Sequence, residues 1–354
     1  MMNKYQIVEC TVDGNNAGAK APQDIVVIAD QIGFERILIH RLNKKNGVIG
    51  KIQRQISYFA NWYRNYTNIA DNSILLIQNP LYYKELGRKF ILKKLKKRKK
   101  LKIISLVHDV EKLREVYYTK YWKNEFENMI ELADIIIVHN KIMLDWFVKQ
   151  GVPEEKLISL QIFDYLQQDN QIKNPMFAKS ITIAGNLDTN KCKYIGELKK
   201  LKNVQINLFG GNFDKSLEKY SNIKYHGSYS IDVIHTKLVE GFGLVWDGES
   251  IDSCRGAFGN YLRYNNPHKL SLYLSSGLPV IIWSEAAEAL FVKKYNVGIC
   301  VNNLYELKDI MDNLTEDKYY EMVANVQGIR SQLISGGFTK KSIGEACKRI
   351  IYDE

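Results

Sequence analysis

The stretch NNPHKLSLYLSSGLPVIIW, residues 265–283, sets a polar helix entrance with a lysine directly ahead of a buried strand. Asn265 or Asn266 can cap a helix, Pro267 suits its first position, and His268 and Lys269 then fall in the first turn. Backbone N–H groups are unpaired at such an end, and a neighbouring cation adds to their attraction for an anion such as a diphosphate. Gly277 and Pro279 stop the helix, and Val280, Ile281 and Ile282 read as a strand buried on both faces, as in a parallel sheet. The plainer reading of Lys269 is a solvated surface lysine.

The same alternation of short apolar strands and helices runs outward in both directions. Strands are predicted over 5–10, 35–39, 74–78, 102–107, 135–138 and 157–159, with helices over 23–32, 51–68, 84–98, 121–132 and 141–150. A polar, aperiodic segment at 163–177 reads as a linker. Beyond it come strands at 181–184, 205–209, 223–225, 242–246 and 280–282, further helices to about 333, and a last helix. This order calls for α/β architecture with mostly parallel sheets, and 354 residues exceed one ordinary single core. Two domains are expected, 1–165 and 178–333, with helix 338–354 packing back on the first.

Five cysteines at 10, 192, 254, 300 and 347 show neither close pairs nor metal spacing, which fits a reducing, cytoplasmic setting. The sequence has no apolar run of membrane-spanning length and no signal-peptide pattern. Much of the formal charge of +11 gathers in RKFILKKLKKRKKLK, residues 88–102, with Phe90, Ile91, Leu92 and Leu95 as its apolar side. Such a helix either sits peripherally on an anionic membrane face or is a solvated helix packed on a sheet. Nucleic acid is disfavoured, because no arginine and aromatic module recurs around it. The aromatic run YFANWYRNY, residues 58–66, offers either a homo-oligomer surface or a cover for the first sheet.

Strand ends are where open parallel sheets hold ligands. In the first half, DGNNAGAK (13–20) follows a strand, and Gly14 and Gly18 permit close backbone approach, although their spacing is not a dinucleotide fingerprint. SLVHDVEKLR (105–114) ends a strand in His108 and Asp109, either of which can take a proton from a hydroxyl. Asp109 can equally be a helix cap. In the second half AGNL (184–187) with Gly185 and Asn186, LFGG (208–211), YHGSY (225–229) ending in Tyr229, and WDG (246–248) close strands in glycine turns. With Arg255 as a second cation and Lys269 nearby, these turns form a candidate nucleotide site.

VHDVEKLR (107–114), AGNL, YHGSY and GNYLRYNNPHKLSLYLSSGLPVI (259–281) together resemble the bacterial glucosyltransferase 3 and β-1,6-galactofuranosyltransferase group of GT-B glycosyltransferases. The resemblance spans nearly the whole chain and is most specific in the PHKxxxYLxxGxPVI segment. It implies a GT-B fold of two Rossmann-like domains with an interdomain cleft, metal independence, and a UDP-sugar bound mainly by the C-terminal domain. Carried onto this chain, it makes Lys269 the diphosphate lysine, with Asn266, Pro267 and His268 at the helix entrance, Gly18 near the sugar and Tyr229 towards the uridine. The family often has an arginine after the GNL turn; here Asp188, Thr189 and Asn190 intervene, leaving Lys191 and Arg255 for the second phosphate contact.

These features predict hexosyl transfer, glucose favoured, from a UDP-sugar to a sugar hydroxyl on a glycan or glycopeptide, with inversion and with no permanently bound cofactor. The alternatives are a galactofuranosyltransferase acting on a lipid-linked cell-surface polysaccharide, and a nucleotide-sugar-binding partner without turnover. The expected place of action is the cytoplasm or the inner face of the plasma membrane.

Overall fold

The computed structural model describes residues 2–10, 20–40, 47–81, 84–115, 119–167 and 174–352. In the first half, strands β1 (Lys4–Cys10), β2 (Glu35–His40), β3 (Ile74–Asn79), β4 (Lys102–Val107), β5 (Ile135–Val138) and β6 (Leu157–Ser159) alternate with helices. These are α1 (Lys20–Gln31), α2 (Gly47–Asn68), α3 (Arg88–Lys99), α4 (Glu111–Arg114), α5 (Lys120–Leu132) and α6 (Lys141–Lys149). The second half carries β7 (Met176–Ala184), β8 (Gln205–Phe209), β9 (Ile223–Tyr225), β10 (Glu240–Val245), β11 (Val280–Trp283) and β12 (Gly298–Val301). Its helices are α7 (Tyr194–Glu197), α8 (Ile231–Ile234), α9 (Gly256–Tyr261), α10 (His268–Ser275), α11 (Ala289–Tyr295), α12 (Leu307–Asn313), α13 (Glu316–Ser335) and α14 (Gly337–Tyr352).

Each half forms one six-stranded parallel sheet, in the orders β2-β1-β3-β4-β5-β6 and β12-β11-β10-β7-β8-β9. The residues of β5 and β11 are buried throughout, because helices cover both faces; this is why they read as unbroken apolar runs. The strand order reverses once in each sheet, between β1 and β3 and between β7 and β10. Crevices open beyond the strand ends at such reversals, so the topology marks two crests. The result is two Rossmann-like units with an interdomain region.

Three details differ from the sequence reading. Edge strand β12 extends the second sheet, and α10 starts at His268 with Pro267 as its cap residue, one position later than expected. Phe163, Asp164 and Tyr165 are buried, so the first part of the expected linker is packed chain. The Asp164 carboxylate accepts from the backbone N–H groups of Phe338 (3.2 Å) and Thr339 (2.7 Å), capping α14. α14 then packs on α1, β5 and β6 of the first unit. Ile91, Leu92 and Leu95 of α3 are core residues, leaving Phe90 as the exposed apolar side chain of that helix.

Candidate active site between the two crests

At the second crest β7 and β10 end side by side, and Gly185 and Gly210 turn the chain at φ 135° and 148°. A side-chain carbon at Gly210 would fall 1.7 Å from the Gly185 carbonyl oxygen, so only glycine lets these turns touch. The Ala184 N–H donates to the Tyr273 hydroxyl at 2.9 Å, which ties α10 to the end of β7. Lys269 in the first turn of α10 is thereby laid across the crest. Its Nζ is 3.5 Å from the Trp246 carbonyl oxygen, and its Cε would lie 3.6 Å from a side-chain carbon at Gly185.

Burial acts to lower the Lys269 pKa, but neighbouring groups, chiefly the Tyr194 hydroxyl and the Asp247 carboxylate, outweigh it and raise the net value. Lys269 is thus a fixed cation at neutral pH. The adjacent His268 is neutral there, its pKa lowered to about 4 by burial and then by Lys20. His268 Nε2 and Asn265 Oδ1 are buried polar atoms with no protein partner. Such atoms call for a ligand, water or ion, and here they stand at the entrance of α10.

The neighbouring turns hold the remaining candidates. Phe209 and His226 stack at 4.5 Å with an interplanar angle of 7°, and Tyr229 lies 6.2 Å from Phe209. Asn186 Oδ1 accepts from the Asp188 N–H (3.3 Å) and from Asn212 Nδ2 (2.9 Å), bracing the turn. Lys191 is exposed, and Arg255 is exposed with its Nε donating to Ser253 Oγ at 2.9 Å. Lys269, His268 and Gly185 therefore come together, whereas the sequence alternatives for a second cation lie on exposed loops. Gly18, with the loop containing Gly14, lies outside the described residues.

The first crest is arranged differently. His108 Nε2 meets Gln78 Oε1 at 2.6 Å, while Gln78 Nε2 donates to the Pro22 carbonyl at 3.2 Å. That chain of bonds assigns the proton to His108 Nε2 and leaves the Nδ1 lone pair as the basic site. Burial first, and then the nearby His139 and His268, lower the His108 pKa to about 3. Asp109 pairs with Arg114 at 3.3 Å, and the cap position of α4 is Val110, so Asp109 is not a helix cap.

Asn266 has another occupation. Its side chain donates to the carbonyls of His139 (2.8 Å) and Gln161 (3.1 Å) and accepts from Asn140 (2.8 Å), while its N–H donates to His139 Nδ1 (2.9 Å). Those bonds latch the second unit to the first and use the hydrogen-bonding groups of Asn266, which the sequence reading placed at the helix entrance of the nucleotide site. Tyr261, whose hydroxyl accepts from the Val110 N–H at 2.9 Å, adds a second latch. His108, His139 and His268 surround Phe163 with ring centroids 5.4, 5.0 and 6.0 Å away.

Two family models cover this architecture: the glucosyltransferase 3-like N-terminal domain matches residues 4–162 and the C-terminal domain residues 181–346. The chain belongs to the glucosyltransferase 3-like family. It is 30% identical over 351 residues to the β-1,6-galactofuranosyltransferase WbbI of Escherichia coli strain K12, covering 96% of this chain and 97% of the relative. Glucosyltransferase 3 of Streptococcus gordonii is 24% identical over 344 residues, covering 96% and 97%. In fold, the apo lipopolysaccharide outer core galactosyltransferase WaaB aligns with a TM-score of 0.63 at 13% identity, covering 99% and 100% of the two chains. Anabaena Alr3699/HepE in complex with UDP aligns with a TM-score of 0.59 at 12% identity, covering 98% and 99%.

Membership makes the chain a GT-B glycosyltransferase and sets aside the partner without turnover. Among the described residues, no group of three or more His, Cys, Asp or Glu is placed to hold a metal ion. The WDG turn of the sequence reading supplies Asp247, whereas Tyr273, His139 and Asn140 of this glucosyltransferase 3-like chain were missed. Also missed was Glu288, a 1% exposed carboxyl pushed well above the usual range by burial. Their roles depend on partners far along the chain, and spacing carries no sign of those.

Proposed function

We propose that this transferase carries a hexose from a UDP-sugar to a sugar hydroxyl of a glycan or glycopeptide, with inversion at the anomeric carbon. The supporting observation is Lys269, held charged across the strand-order reversal of the second sheet at the open end of α10. A departing diphosphate needs such a preorganised cation and backbone donors, which stabilise charge that develops only as the bond breaks. In the reaction, the acceptor oxygen bonds to the anomeric carbon as the bond from that carbon to the diphosphate oxygen breaks. The hydroxyl proton passes to His108 Nδ1, and Asp109 with Arg114 orients the acceptor. Donor phosphates near His108 would raise its basicity from the low value in the free protein.

Glucose is supported by the family models and galactofuranose by the name of the 30% identical relative. A cytoplasmic site of action is consistent with the free thiols of Cys192, Cys254, Cys300 and Cys347. No described helix is long and apolar enough to cross a membrane. The deciding test is a panel of UDP-glucose, UDP-galactopyranose, UDP-galactofuranose and UDP-GlcNAc against GlcNAc-peptide and lipid-linked acceptors, read by UDP release and product mass. One donor yielding a hexosylated product establishes the donor and acceptor together. UDP binding without product from any pair would refute the proposed donor and acceptor classes.

A further inference from the structure

Helix α2 contains no acidic residue and presents two unlike faces. Gly50, Tyr58 and Trp62 are buried against the first unit. On another side Val48, Ile49, Ile52, Ile56, Phe59 and Tyr63 are 70, 74, 54, 64, 44 and 52% exposed. At about 100° per residue these six fall within one arc of about 100°, so they form a continuous stripe from Val48 to Tyr63 on the 22-residue helix. A single exposed isoleucine needs no explanation, but an unbroken stripe of this length does.

The stripe continues onto α3. Gly87 sits against the Phe59 ring, and Leu86 and Phe90 are 71 and 61% exposed. Lys94 Nζ lies over the rings of Tyr63 (5.8 Å) and Tyr66 (4.9 Å), fixing the two helices side by side. Phe90, Lys94, Lys97 and Arg98 share one helical ridge beside the stripe by their spacing. The other side of α3 is neutralised, with Lys89 and Lys93 on Glu131 and Lys96 on Asp134. Among the described residues no carboxylate pairs with Lys97 or Arg98, both exposed.

We propose that α2 lies in the plane of an anionic lipid bilayer, its stripe among the acyl chains and the α3 ridge at the headgroups. An apolar band bordered by cations and lacking acids matches that surface chemically. A second copy matches it poorly, since its own α3 ridge would bring like charges together. The stripe, rather than the basic helix alone, makes the contact, because the other apolar residues of α3 are in the core. The inference extends the membrane-borne acceptor reading to a docking mode, and it is testable without donor or acceptor.

The experiment is co-sedimentation of the full chain with phosphatidylcholine vesicles and with vesicles containing 30% phosphatidylglycerol, alongside sedimentation velocity. Binding about tenfold tighter to the anionic vesicles is expected. Ile52→Ser/Ile56→Ser should weaken it about tenfold, and Lys97→Glu/Arg98→Glu should remove the preference for anionic lipid. UDP affinity and circular dichroism of both variants should match the parent, showing that they fold. The inference is overturned if the parent ignores both vesicles, or if the isoleucine variant binds them as the parent does. It is also overturned if that variant only splits a dimer, or only releases an acidic polypeptide such as polyglutamate. Loss of vesicle binding with sugar transfer to a soluble acceptor retained would leave the catalytic reading intact and support the docking face alone.

Discussion

At the crest of the second sheet a lysine is kept charged beside a carboxylate, whereas at the crest of the first the imidazoles of His108 and His139 are kept neutral against Phe163, which neutral His268 of α10 meets from the second unit. Both sheets have six parallel strands, and both crests lie at a reversal of strand order. The difference lies in what burial is opposed by. Lys269 has Asp247 as a counter-charge; His108 and His139 have mainly hydrogen bonds to neutral groups. Burial with a counter-charge preserves ionisation, and burial without one removes it. One crest is thereby suited to meeting a leaving diphosphate, and the other to accepting a proton.

The comparison breaks most visibly at Lys269. Lys269→Ala should lower kcat/KM by about 10³-fold and weaken UDP binding measured by calorimetry, as expected for loss of a preorganised charge contact. Unchanged steady-state turnover would remove the second crest from the chemistry. Next comes the proton acceptor. His108→Gln should cost about 10²-fold in kcat, and Asp109→Asn only a few-fold. The reverse order in single-turnover rates would transfer the basic role to Asp109. In the parent, the acid limb of kcat should lie at higher pH than that of kcat/KM, because bound phosphates raise His108 only in the complex.

A smaller effect distinguishes latch from ligand at the junction. Asn266→Ala should destabilise the fold by about 1–3 kcal/mol in urea titration while changing UDP affinity less than threefold, since its partners are protein groups. Loss of UDP affinity with stability intact would return Asn266 to the nucleotide site. Finally, pH sharpens the neutral crest. The folded pKa values of His139 and His268, about 4, lie below the ordinary 6.5, and that of His108 lies lower still at about 3. Unfolded chain therefore binds more protons below 6.5, and the stability these groups contribute is lost as pH falls from 6.5 towards 4. Asp164, raised to about 7 by burial, works in the opposite direction by favouring lower pH. Glu288, Asp24, Glu111 and Glu125 are raised by burial as well and add to the Asp164 effect, so the histidine share is read from the parent against His139→Gln, at about 1.4 kcal/mol per pH unit for each proton taken up. A stability slope between pH 6.5 and 4.5 that is unchanged in His139→Gln would count against the buried neutral cluster.

Much of this was legible in the sequence where a signal is local. The 265–283 stretch announced a helix entrance, a lysine and a buried strand, and α10 and β11 follow with a one-residue shift. The glycine turns after β7 and β8 were visible for the same reason: a positive φ is a property of one residue. What escaped depends on distant partners. Nothing near Asn266 shows that His139, Asn140 and Gln161 will meet its side chain. The run of basic residues in α3 looked uniform because Glu131 and Asp134, which divide it into a paired and an unpaired side, are about 40 positions away. In YFANWYRNY, helical spacing sends Tyr58 and Trp62 inward and Phe59 and Tyr63 outward, so the sheet-cover reading holds for the first two and the others stay exposed.

The Asp164 cap on α14 has a mechanical consequence. The chain leaves the first unit beyond Asp164 and returns to it at Gly336, and the Asp164 carboxylate at the first passage grips the backbone at the second. Two tethers set far apart would fix a wide frame and resist rotation. Two tethers bound at one spot form a single joint with Asp164 as its rivet, which leaves the latches at Asn266 and Tyr261 to hold the crests in register.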